Sequence, residues 1–233
     1  FLDEYGSNAI ADVKVENPHE GAYKNYFYMV KSGKEQPQTT QPDRYDYNQM
    51  YSISAYSKGD IFLVQLGYLI GEDNLMKTLK RYYAEFKFKH PTPNDIKRTA
   101  VSGANLDWYL VDWTQTTNTI DYGIKYVDGA TDGVQKSLVS IERIGRMPMP
   151  LDILVEYNDG TQEQFYVPLR MMNYEKANPN PALKWTVLTE NTWAQSIYNF
   201  EISRSKSDIK KITIDPKNLM ADVDKSNNVF PKS

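Results

Sequence analysis

The sequence predicts an α+β protein: a helical part over residues 1–120 followed by an antiparallel β-sandwich over residues 121–233. Apolar residues recur at helical spacing up to about residue 120, and after Tyr122 they alternate, with β-branched residues enriched, at the spacing of strands. The strand-like segments then follow one another with no helical period between them. That arrangement gives a sandwich of roughly seven strands and no parallel crossover units.

Residues 14–49 read as irregular, through "ENPHEG" and "KSGKEQPQTTQPD", apart from a short helix in "AYKNYFYMVKSG" that ends at Gly33. A buried helix follows from about Met50 to Ile70. The next runs from Glu72 to Phe86, with acidic residues in its first turn and an apolar stripe of Leu75, Leu79, Tyr82, Tyr83 and Phe86 that packs on its predecessor. In "HPTPND", Thr92 is the N-cap, Pro93 the first helical residue and Asp95 the reciprocal capping partner, so a third helix reaches about Ser102 before Gly103. A fourth starts after Asn105, with Leu106, Tyr109, Leu110 and Trp113 on one side, and frays in "QTTNT". The strands are "YGIKYV", "KSLVSIERI", "LDILVEY", "TQEQFYV", "KWTVLT", "SIYNFEISR" and "KKITID", and "EYNDGTQ" predicts a hairpin with a two-residue turn at Asp159 and Gly160.

Composition excludes several functions. A net charge of −3, with no dense Lys/Arg run, offers no field for a nucleic-acid backbone. The apolar run from Ile61 to Ile70 is too short for a membrane span. With no cysteine, disulfides, thiolate nucleophiles and Cys-type zinc sites are ruled out, and the compartment stays open. The first residue is Phe, and no signal peptide is visible, so a piece of a longer protein is expected.

Metal motifs are incomplete. His19 and Glu20 resemble the start of HExxH, but the second imidazole position holds Tyr23. His19 and His90, both among Pro and Gly, are expected to be exposed loop residues. Asp222, Asp224, Ser226 and Asn228 alternate like the opening of a calcium loop, yet Asn227 and Ser233 occupy the positions that require glycine and glutamate, so the stretch reads as a polar terminus. There is no phosphate loop and no GxSxG elbow.

One stretch raises a question: "AYSKGDIFLVQLGYLIGE" sets Tyr56, Lys58 and Gly59 before a run whose only polar side chain is Gln65. A lysine near a helix start opposes the dipole and needs a partner. Gly67 lets a neighbour approach closely.

The longer segment "AYSKGDIFLVQLGYLIGEDNLMKTLKRYYAEFKFKHPTPNDIKRTAVSGANLDWYLVDW" resembles the region after the zinc motif in gluzincin aminopeptidases of the M1 family. The likeness rests on Tyr56, Lys58, Gly59, Ile70, Gly71, Glu72, Pro91, Thr92, Asp95, Ser102, Gly103, Leu106, Tyr109 and Trp113. It implies that the helical part is the downstream half of a thermolysin-like catalytic domain, in a parent enzyme that removes N-terminal residues from peptides. Tyr56 is then the catalytic hydrogen-bond donor to the oxyanion, a role that suits a phenol because its ordinary pKa of about 10 keeps the proton on. Tyr51 is a substrate-binding candidate. Zinc belongs to the full-length parent and not to this chain, because the family's HExxH and third, glutamate ligand lie upstream; Glu4 in "FLDEYGS" lacks the expected context and is not assigned. The implied partners are a peptide substrate and the upstream half of the catalytic domain. Bacterial relatives suggest a cell-envelope or secreted location. Asp60 departs from the family pattern and is expected to pair with Lys58 or Lys77, or to alter the site. The alternative is a non-catalytic module that binds peptide, glycan or protein on a degenerate peptidase scaffold.

Overall fold

The computed structural model describes residues 17–129, 135–192 and 194–232; Glu4 and Ser233 lie outside them. The chain divides into two units, Phe1–Ser102 with Leu106–Thr117, and Gly103–Asn105 with Asn118–Ser233.

In the helical unit, α1 (Glu20–Ser32) buries Ala22, Tyr23, Tyr26 and Met29 along one face and closes at Gly33, whose φ of 65° suits a residue without Cβ. A strap over residues 34–47 follows, with one 3₁₀ turn at Pro42–Arg44. Then α2 (Asn48–Ser52), a π-helical turn (Ile53–Ser57) and α3 (Lys58–Ile70) run on as one rod, since the residues at both junctions keep right-handed helical backbone. The rod therefore starts at Asn48, two residues before the expected Met50, and Lys58 lies ten residues into it.

Apolar residues surround α3 on most sides, so it is a core helix. Its buried Gln65 donates from Nε2 to the Tyr23 hydroxyl at 3.3 Å. Gly71, with φ 87°, turns the chain into α4 (Glu72–Phe86), and a Cβ on Gly67 would stand 3.0 Å from Leu75 Cδ2, so the predicted close approach is present. The face of α4 differs from the expected stripe: Tyr83 is 68% exposed, and Thr78 is buried instead. Leu75, Leu79, Tyr82 and Phe86 already repeat every three to four residues, and Tyr83 falls about 100° off that line.

The cap of α5 (Pro93–Thr99) is the predicted one, with Thr92 N–H donating to Asp95 Oδ2 at 2.6 Å. This helix stops at Thr99 rather than Ser102, because Ala100 turns extended. In α6 (Asp107–Gln115), Tyr109 and Trp113 point inward, as does Leu106 just before it. The Tyr109 hydroxyl donates to Phe62 O at 2.5 Å and Trp113 Nε1 to Lys58 O at 3.3 Å, fixing α6 to the backbone of α3.

The strand unit holds β1 (Tyr122–Gly129), β2 (Ser137–Arg143), β3 (Leu151–Tyr157), β4 (Gln162–Val167), β5 (Lys184–Val187), β6 (Ile197–Ile202), β7 (Ile209–Ile214) and β8 (Val229–Phe230). They form a three-stranded sheet, β1-β2-β6, and a five-stranded sheet, β5-β4-β3-β7-β8. Phe165 of β4 meets Phe200 of β6 with ring centroids 5.4 Å apart, one contact between the sheets. Three details depart from the expectation. β5 runs parallel to β4, so the sandwich is not purely antiparallel; the long connection over residues 168–183 gives the chain room to return in the same direction. β8 is two residues long and carries no alternation to read. The β3–β4 hairpin has a three-residue loop: Tyr157 N–H bonds Thr161 O at 2.9 Å, Gly160 N–H bonds Tyr157 O at 3.0 Å, and only Gly160 has a positive φ, of 85°.

The C-terminal stretch is part of this unit's core rather than a loose polar end. Ile120 and Asp222 form a β-bridge, Val223 N–H donates to Ile120 O at 3.0 Å, and the buried Asp222 accepts from Tyr122 N–H at 3.0 Å.

Candidate active-site helix and its supports

Lys58 is 1% exposed, and its Nζ lies 2.8 Å from Glu35 Oε1, whose side chain is 7% exposed. An ammonium this deep is tolerated only when a carboxylate neutralises it. The pair sits against Trp113, 5.7 Å from Nζ to the ring centroid, and Trp113 stacks on Tyr26 at 5.7 Å. Burial, and then the charge of Glu35, push the Tyr26 hydroxyl far above its ordinary range. It stays a protonated phenol.

Asp60, two residues on, does not pair with Lys58 or Lys77. Its Oδ2 lies 3.0 Å from Nδ1 of His19, and both residues are buried, so the expectation that His19 is an exposed loop residue is corrected. Pro and Gly do flank His19, but it opens α1 and turns inward to a carboxylate 41 positions away. His90 is exposed.

Between these buried groups lies the π turn. Lys58 N–H reaches back five residues to Ile53 O instead of four. The wider turn takes Lys58 N–H, the i+4 donor, away from Ser54 O, and Gln38 Nε2 donates to that carbonyl at 3.0 Å. Ser54 Oγ accepts from the Tyr45 hydroxyl at 2.9 Å, and Ser57 Oγ accepts from Asn25 Nδ2 at 3.1 Å.

Tyr56 lies in this turn and is 75% exposed; Tyr51, on α2, is 38% exposed, with its ring 5.4 Å from that of Tyr45. In a regular α-helix, residues five apart point about 140° away from each other. A turn closed from i to i+5 brings them back toward one side. Residues 51, 52, 55 and 56 are the exposed positions here, while 53, 54 and 58 are buried. The two tyrosines singled out in the sequence thus share the open side of a rod whose other side is core. Glu35, Gln38, Tyr45 and Asn25 were not singled out: they lie in or before an irregular segment without periodicity, and only the need of Lys58 for a partner hinted at one of them.

Among the described residues, no three His, Cys, Asp or Glu side chains gather to hold a metal, and His19 is already engaged by Asp60. These residues do not fit a zinc site.

Residues 9–113 match the peptidase family M1 domain. This segment belongs to peptidase family M1. The M1 segment takes in α1, the strap, the π turn with Tyr51 and Tyr56, and α6 as far as Trp113; the strands lie outside it. Its family is one of zinc metallopeptidases, which makes the helical part peptidase-related. No curated protein matches the chain.

Proposed function

We propose that this chain is the downstream part of a zinc-dependent M1 aminopeptidase that removes N-terminal residues from peptides, with its zinc ligands in polypeptide upstream of these residues. The observation that carries the reading is the π turn inside the M1 segment, with Tyr56 and Tyr51 on the open side of a rod whose other side is core. π turns inside helices recur at functional sites. When a peptide carbonyl is attacked, charge grows on its oxygen, and a positioned neutral donor stabilises it there. Tyr56 is that donor, and Tyr51 lies beside the bound peptide. In this family zinc supplies Lewis-acid polarisation and an activated water.

The test uses the protein that carries both the upstream part and this chain. Tyr56→Phe keeps the ring and removes the donor; kcat is expected to fall by about 100-fold or more, with KM little changed. Near-normal turnover would remove Tyr56 from the chemistry, and a parent reading frame without HExxH would remove the enzyme. A second reading, a ligand-binding module, draws on an open depression of the strand unit lined by Leu188, Asn191, Tyr198 and Phe200. Peptide or glycan binding by the chain, abolished by Tyr198→Ala, would favour it.

A further inference from the structure

The π turn interrupts the α ladder inside the M1 segment, and side chains from elsewhere in the unit support it. A π turn is a rare, single-turn departure from the α ladder, and it persists only where its surroundings over-determine it. Here the surroundings are side chains from elsewhere in the unit. Gln38 takes the diverted carbonyl of Ser54, Tyr45 takes its hydroxyl, and both come from the strap. The strap is itself closed and anchored: Gln36 bridges it, accepting from Asp46 N–H at 2.9 Å and donating to Arg44 O at 3.2 Å, and Thr39 N–H bonds Thr114 O at 3.0 Å. On the far side of the turn, α3 is held by the Lys58–Glu35 pair and by the Trp113 bond to Lys58 O.

These fixtures define what happens if the support fails. Without a donor on Ser54 O, the cheapest partner for that carbonyl is Lys58 N–H, four residues on, and the turn closes as ordinary α-helix. One residue is then lost from the turn. Because α3 is fixed, everything before it rotates by about 100° and shifts by about 1.5 Å, and Tyr51 and Tyr56 part company.

We propose that Gln38, assisted by Tyr45, is a positioning residue for Tyr56: it holds the π turn open through the Ser54 carbonyl and so keeps the two tyrosines on one side. This rests on the reading that Tyr56 serves the reaction. Neither strap residue needs to touch substrate.

The sharpest variant is Gln38→Glu, which keeps the side-chain shape and replaces the donor by an acceptor; Tyr45→Phe is the milder companion. Turnover is measured in the full enzyme, alone and in the Tyr56→Phe background. The expected result is a loss of about 10- to 100-fold in kcat with KM within about twofold, shrinking to less than about twofold when Tyr56 is already Phe. A crystal structure of the Gln38→Glu chain should show Lys58 N–H moved from Ile53 O to Ser54 O. Normal kcat for both strap variants beside a slow Tyr56→Phe enzyme would overturn this proposal alone, as would an equal loss in both backgrounds. Normal kcat for Tyr56→Phe itself would overturn the functional reading and this proposal with it. If Gln38→Glu does not fold, Tyr45→Phe carries the same comparison, with the same outcomes deciding.

Discussion

Lys58 shows how much one residue can say and where it stops. A lysine near a helix start implied a partner through the dipole; the rod starts ten residues earlier, and it is burial that makes the partner necessary, supplied by Glu35. Its identity was not legible, because Glu35 sits in an irregular segment 23 residues earlier, where no periodicity marks an inward-facing side chain. The same holds for His19, whose Pro and Gly neighbours suggest surface while a distant Asp60 draws it inward. The Lys58–Glu35 pair gives a direct test. Lys58→Met leaves a buried carboxylate without its cation and is expected to cost about 3–5 kcal/mol, read as a lower urea midpoint. Adding Glu35→Leu should recover most of the loss, because a neutral, apolar pair carries no desolvation penalty. A double variant as unstable as the single one would show that packing, not charge, is at stake.

At the scale of elements, boundaries were legible wherever turn or cap chemistry marks them. Gly71 with the acidic first turn marks the start of α4, and Thr92 with Asp95 marks the start of α5. The π turn left no trace, since one extra residue over a single turn hardly disturbs the pattern of apolar positions. The hairpin is legible but its loop is one residue longer than the Asp-Gly signal implies: both loop lengths want a positive φ at Gly160, and the backbone bonds and the ordinary φ of Asp159 tell them apart. That glycine yields a prediction. Gly160→Ala forces a Cβ into the left-handed region and is expected to destabilise the strand unit by about 1 kcal/mol, whereas Asp159→Ala tests only the side chain. Equal thermal stability for Gly160→Ala and the parent chain would contradict the positive φ at Gly160.

For the molecule as a whole, the change from helical to strand spacing near residue 120 made the α+β class legible, and the M1 match agrees with it on the helical side. The ionic balance of the strand unit was not legible, because Asp222 looked like one more polar residue near the end of the chain. Burial raises its carboxyl pKa to about 6, against hydrogen bonds from Tyr122 N–H, Asp224 N–H and Asn228 that favour the charge. Burial raises Asp215 and Asp121 as well. A carboxyl that binds its proton more tightly when folded stabilises the fold most at low pH, and that contribution is lost as pH rises through the folded value. The strand unit should therefore lose up to about 3 kcal/mol between pH 4 and pH 7 through Asp222 alone. Asp159, held down to about 2 by Thr161 and then Arg204, works the other way, but only in stronger acid. Melting temperatures at pH 5 and pH 7.5 check this, and Asp222→Asn should flatten the difference. A parent chain more stable at pH 7.5 would refute the assignment.

The stack of Tyr26 and Trp113 over the Lys58 ammonium has a practical corollary. An indole shielded from water and facing a fixed cation is a built-in optical gauge, whose emission should move to longer wavelength when the ion pair opens, before the surrounding helices come apart. Subtracting the spectrum of a Trp113→Phe chain would isolate that signal, so the seating of α3 can be followed in solution without any added ligand.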